Sequence, residues 1–241
     1  RLEADLKHHP GVVIVYEDFG SKGHKGGSKQ KMSDLILTLV YWNFETKQKD
    51  KKFYHSFTKG SMSPENLNDP SKYGKQDMFV YRQTWLNWFA KGIFRPFHTI
   101  IKSGDNGASL KNYRILYMFG KISVEYGKRI LFFTLCNYHA WNRCDPEGGR
   151  IVEIIRKEER KRDCTIDTAE EHVQVVMDRK KKNPLQFQNT VDCQALHVMS
   201  NFDDWMPESI CVNSDKVFGI RGSCIVYPET PSIFDQQRDP K

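Results

Sequence analysis

An α/β fold, a mixed sheet flanked by helices, is the class this sequence predicts, and three observations carry it. The run VVIVYED at 12–18 is β-branched and apolar until it meets Glu17 and Asp18, as in a strand buried on both faces. Two further strand-like runs follow after polar connections, which makes a meander of three. Beyond them, segments of helical periodicity alternate with short apolar runs, the order that crossover connections produce.

Residues 1–10 read as a helix end or a linker, and a chain that begins with Arg is expected to be a piece of a longer protein. After the first strand, GSKGHKGGSKQK is a Gly/Lys-rich loop. It suits contact with phosphates, and equally a solvated charge run. DLILTLVYWNF (34–44) and KFYHSFTKG (52–60) are the second and third strands, joined by the turn ETKQKDKK. A polar loop with Pro64, Asn66, Asn68, Asp69, Pro70 and Gly74 precedes a helix from about 76 to 89. In that helix Met78, Phe79, Trp85, Leu86 and Phe89 recur at helical spacing. FHTIIKSGDNG is a fourth strand ending at Asp105, and a helix over 110–126 places Tyr113, Leu116, Tyr117, Phe119 and Val124 inward. The apolar run 130–135 is the fifth strand. It hands over through His139, Arg143, Cys144 and Asp145 to a helix spanning Arg150 to about Arg162. Asp145-Pro146 is good helix-start chemistry, with Asp145 as the cap and Pro at the first helical position.

Three meander strands followed by parallel additions describe the ribonuclease H-like arrangement: a mixed five-stranded sheet flanked by helices over residues 11–162. Residues 163–241 form a C-terminal extension packed on that core. It opens with a helix started by Asp167/Thr168 and bearing Ile166, Val173, Val176 and Met177 on one side. A hairpin of ICVNSDKVFGIRG and SCIVYPE follows. In this topology the first and fourth strands are neighbours, so Asp18 and Asp105 end side by side and Asp145 arrives from the fifth. Carboxylates so close repel one another unless a divalent cation neutralises them, and hard oxygen donors favour Mg²⁺ or Mn²⁺. Two such ions about 4 Å apart activate a water or a 3′-hydroxyl and stabilise the leaving oxygen of a phosphodiester. His139 would orient a water, ligate directly or meet the scissile phosphate.

Each residue has a plain alternative. Asp18 also suits a strand end, Asp105-Asn106-Gly107 a turn, Asp145 a helix cap and His139 a structural turn position. Glu17 sits on the face opposite Asp18, so only one of the two can ligate. Glu147 and Glu153 are rivals for the third acid. The six cysteines show no CxxC pair, which points to reduced thiols. A mixed Cys/His zinc site built on the pairs Cys136/Cys144 and Cys211/Cys224 is the alternative. The net charge of +7 fits a polyanionic partner, and no apolar run is long enough to span a membrane.

The blocks SGDNGASLKNY and NYHAWNRCDPEGG resemble the catalytic core of eukaryotic DDE/DDD cut-and-paste DNA transposases. The resemblance runs over roughly 11–160, through Asp105, Asn106, Gly107, His139, Cys144, Asp145, Gly148 and Gly149, with VIVYEDFGSK as the opening block. It departs from the family pattern at Ala140-Trp141-Asn142, where a Gly-Lys-Gly is expected, and at Pro146 and Glu147. It implies Mg²⁺- or Mn²⁺-dependent strand cleavage and strand transfer on DNA in the nucleus, by a homo-oligomer or as part of a longer chain. Asp18, Asp105 and Asp145 would hold the ions, with His139 beside them. Lys22, Lys25, Asn106, Lys111, Arg143 and Arg150 would meet the nucleic acid. The alternatives are a domesticated, inactive scaffold that binds DNA or protein, and a nuclease that cleaves without joining.

Overall fold

The computed structural model describes residues 2–20, 32–69, 72, 77–104, 113–134, 143–200 and 223–226. Seven strands form one mixed sheet: β1 (Val12–Gly20), β2 (Ser33–Asn43), β3 (Gln48–Met62), β4 (Thr99–Gly104), β5 (Arg129–Thr134), β6 (Thr190–Met199) and β7 (Ser223–Val226). Their order across the sheet is β6-β3-β2-β1-β4-β5-β7. β1 and β3 run antiparallel to β2, while β4 pairs parallel with β1 and β5 parallel with β4. That central order, 3-2-1-4-5 with only the second strand reversed, is the ribonuclease H-like topology. The five-stranded sheet expected from the sequence is therefore present inside a wider one. β6 adds parallel to β3 at one edge, and β7 adds antiparallel to β5 at the other. The C-terminal region thus contributes β6 and β7 to the sheet, and the segment expected to form a hairpin with SCIV lies outside the described residues.

The helices are α1 (Leu2–Asp5), α2 (Met78–Ala90), α3 (Tyr113–Tyr126), α4 (Asp145–Arg162) and α5 (Ala169–Lys182). Strand alternation sorts them onto two faces. Val13, Val15, Leu35, Leu37, Leu39 and Ile100 meet α2 and α3 in the main core. There Trp85 stacks on Phe94 at 5.2 Å and meets Phe119 edge-on at 4.8 Å. Such pairs add about 1 kcal/mol beyond the area that they bury. On the other face, Phe57 and Cys193 pack with Ile151, Ile155, Val175 and Val176 of α4 and α5. Leu6, Ile14 and Val40 form a smaller cluster beneath the N-terminal segment.

Local chemistry explains the element ends. Asp77 caps α2 by accepting from the Phe79 and Val80 amides, both at 3.1 Å. Thr168 and Glu171 form a reciprocal capping box on α5. α4 begins at Asp145 rather than Arg150. Cys144 takes the cap position without a side-chain bond, so Asp145 is the first helical residue and not its cap. Gly11 has φ +71°, and a Cβ there would lie 2.5 Å from Cδ2 of His98, so both backbone and space demand glycine. Among the described residues, no helix is long and apolar enough to cross a membrane.

Candidate metal centre

β1, β4 and β5 run parallel, so their carboxyl ends lie along one edge of the sheet, where open α/β sheets place their ligands. Asp18 lies near the end of β1, half-buried, on the face that α4 covers. It pairs across the ladder with Ile36 of β2. The Cys144 thiol, fully buried, reaches back to the same Ile36, donating to its carbonyl at 3.6 Å, and shares a hydrogen bond with Thr38 Oγ1 at 3.1 Å. Asp145 is the next residue, exposed at the start of α4. Burial pushes the Cys144 thiol well up, and the charges of Asp18, Glu17 and Asp145 push the same way against the Thr38 hydrogen bond. Asp18 and the start of α4 are thus linked through Ile36, whose carbonyl accepts from Cys144, the residue before Asp145.

Glu17 faces the opposite way, as alternation predicts. It is fully buried, ion-paired to Lys102, and accepts from the Tyr81 hydroxyl at 2.6 Å and from Trp85 Nε1 at 3.2 Å. The Lys102 ammonium lies 5.5, 5.9 and 5.1 Å from the rings of Tyr81, Phe119 and Phe132. Burial, then the charge of Glu17, drives the Tyr81 phenol far above its ordinary range. Glu17 is thus an internal anion of the α2/α3 core and not a rival at the site.

Glu147 and Arg150, one turn into α4, belong to a second buried network. The Glu147 carboxylate accepts from Arg150 Nε at 2.8 Å, from Thr190 Oγ1 at 3.0 Å and from His55 Nε2 at 3.2 Å. The Arg150 Nη2 also donates to Glu147 and, at 2.7 Å, to Thr190. His55 Nδ1 meets Asp34 Oδ2 at 2.9 Å. Burial opposes charge on both central groups, yet partners of opposite sign outweigh it. His55 is held up at about 9 by Asp34 and Glu147, and Glu147 is held down at about 2 by His55 and Arg150. Glu153 is exposed and pairs with Lys157 at 2.7 Å. Arg143 donates to Glu3 through Nε at 3.1 Å and Nη2 at 3.0 Å.

Asp105, His139, Lys22, Lys25, Asn106 and Lys111 lie outside the described residues. Asp105 directly follows Gly104, the last residue of β4. Among the described residues, no group of three or more His, Cys, Asp or Glu is placed to hold a metal. The donor chemistry at the Asp18/Asp145 end is hard oxygen and suits Mg²⁺ or Mn²⁺. Cys144, Cys164 and Cys193 are unbridged, and the Cys144 thiol is turned into the sheet. Sequence reasoning missed the Asp34–His55–Glu147–Arg150 network, because its members lie far apart in the chain and carry no spacing signature. The Glu17–Lys102 pair was missed as well, although a lone Lys in the apolar run TIIKSG was an available signal, since a buried ammonium requires a counter-charge.

No family model matches the sequence, and no curated protein matches it. Among solved structures, the chain resembles the MID-PIWI domains of the Argonaute QDE-2 of N. crassa at 9% identity and a TM-score of 0.31. That match covers 77% of this chain and 46% of the other, so the chain spans about half the length of the solved one. A likeness of that size carries no argument. The ribonuclease H-like assignment stands on the strand order and directions of the chain itself.

Proposed function

We propose that this domain carries out divalent-metal-dependent phosphodiester chemistry on DNA, strand cleavage followed by strand transfer, with Asp18, Asp105 and Asp145 as the acidic set. The reading is supported by one observation above all: Asp18 pairs in the ladder with Ile36, and the Ile36 carbonyl accepts from Cys144, the residue before Asp145. The end of β4, beside β1, delivers the third acid in sequence. Bound Mg²⁺ or Mn²⁺ would supply an activated water or 3′-hydroxyl and a counter-charge for the leaving oxygen. The chain's own part is to hold hard oxygen donors at the sheet edge, with Asp18 fixed by the β1 ladder and Asp145 by the first turn of α4. The net charge of +7 suits a DNA partner, and a nuclear setting and self-association belong to the same proposal.

The rival is a non-catalytic scaffold derived from such an enzyme. It is favoured by the engagement of Arg143 with Glu3 and of Arg150 with Glu147, two cations otherwise expected on phosphate. Titration calorimetry with Mn²⁺ on the wild type, Asp18→Ala and Asp105→Ala separates the two. Binding in the wild type that is lost in both variants, with circular dichroism unchanged, is the expected result. An absence of binding in the wild type would remove the catalytic reading. Joined products from an oligonucleotide assay then distinguish strand transfer from cleavage alone.

A further inference from the structure

Four donors of three residues converge on the Glu3 carboxylate beside the proposed site. The Tyr16 hydroxyl donates to Oε1 at 2.9 Å and Lys49 Nζ to Oε2 at 2.8 Å. Arg143 grips both oxygens, with Nε on Oε1 at 3.1 Å and Nη2 on Oε2 at 3.0 Å. This is the bidentate fork geometry with which arginine also takes phosphate. The donors come from β1, β3 and the turn before α4, which the sheet and the core hold in place. The acceptor comes from α1, a helix of only four residues at the start of the chain. A single buried apolar residue, Leu6, ties that segment to the sheet among the described residues. The donors are therefore built into the fold, while their occupant arrives on a short terminal segment that, among the described residues, buries one apolar side chain. Position adds to this: Tyr16 and Asp18 lie on the same face of β1, about 7 Å apart along the strand, and Arg143 lies two residues before Asp145.

We propose that Tyr16, Lys49 and Arg143 form a phosphate-binding cradle for the nucleic-acid backbone entering the site, and that the Glu3 carboxylate fills it in the free protein as an internal competitor. The identity of the ligand rests on the phosphodiester reading above; the cradle itself does not. Displacement of Glu3 would couple substrate binding to release of the N-terminal segment. Arg143 then has two successive partners, and its pairing with Glu3 is no longer an argument for a scaffold.

The test is binding of a fluorescein-labelled single-stranded oligonucleotide by anisotropy, in EDTA, so that metal ligation plays no part. If Glu3 fills the cradle about nine-tenths of the time, Glu3→Gln tightens binding about tenfold. Arg143→Ala added to Glu3→Gln removes that gain, and inorganic phosphate competes more effectively with Glu3→Gln than with the wild type. Glu125→Gln, which makes the same charge change on α3, leaves affinity unchanged. Removal of residues 1–5 gives the same gain as Glu3→Gln and serves if that variant folds poorly. The proposal is overturned if neither N-terminal change tightens binding, if the gain survives loss of Arg143, or if Glu125→Gln reproduces it. Failure of Mn²⁺ binding alongside a positive result here would leave the cradle standing on a non-catalytic protein, so the two readings fail separately.

Discussion

His55 shows how single side chains settle the interior of this protein. A fully buried imidazole between Asp34 and Glu147 keeps its proton because both carboxylates favour the charged form more than burial disfavours it. Linkage turns that into a pH profile. The folded His55 titrates at about 9 against 6.5 when free, so its contribution is complete below 6.5 and lost as pH rises towards 9. Glu147 titrates at about 2 against 4.5, so its contribution is complete above 4.5 and lost as pH falls towards 2. Urea denaturation across pH is expected to show the network's greatest stabilisation between 4.5 and 6.5. His55→Ala should flatten the alkaline limb and cost about 3 kcal/mol, because it takes the cation from buried Asp34 and one of the partners of Glu147, which keeps Arg150.

At the scale of elements, α5 makes the clearest case. Its inward residues Ala169, His172, Val175 and Val176 join the second core, and Phe57 of β3 lies 5.4 Å from the His172 ring. Packing of that face supplies most of the helix's stability, and the capping box fixes where it starts. Thr168→Ala removes the Glu171 amide's acceptor and should cost about 1 kcal/mol, read as a lower midpoint in chemical denaturation. α4 teaches the converse. Its sequence reads as a cap at Asp145 followed by two glycines and a later helix, yet the helix begins at Asp145. Burial of Glu147 and Gly148 against the sheet outweighs the poor helix propensity of adjacent glycines.

The whole molecule depends on its C-terminal strands. β6 covers the edge of β3 and sends Leu196 and Val198 into the main core, with Cys193 into the second. A chain ending at residue 189 would expose the β3 edge and remove apolar area from both faces. It is expected to aggregate or lose cooperative unfolding, checked by size-exclusion chromatography and thermal melting. This dependence was hard to read in advance. TVDCQALHVM mixes polar and apolar residues on both faces, because β6 is a half-covered edge strand rather than a central one. SCIV is apolar enough for a strand, but its partner, β5, lies about 90 residues away.

The sequence by itself determined the alternation of strands and helices, which matches the ribonuclease H-like order, and the placing of Glu17 and Asp18 on opposite faces of β1; the preference for Asp18 came from the family resemblance. The alternation and the facing follow from period and burial pattern, which are local properties of the chain. Only the tertiary structure decided that Glu147 and Arg150 are engaged with His55 and Thr190, and that Glu3 lies in the grip of Arg143. The physical reason is common to both. Charge pairing acts through space between groups up to 140 residues apart, and no spacing along the chain encodes it.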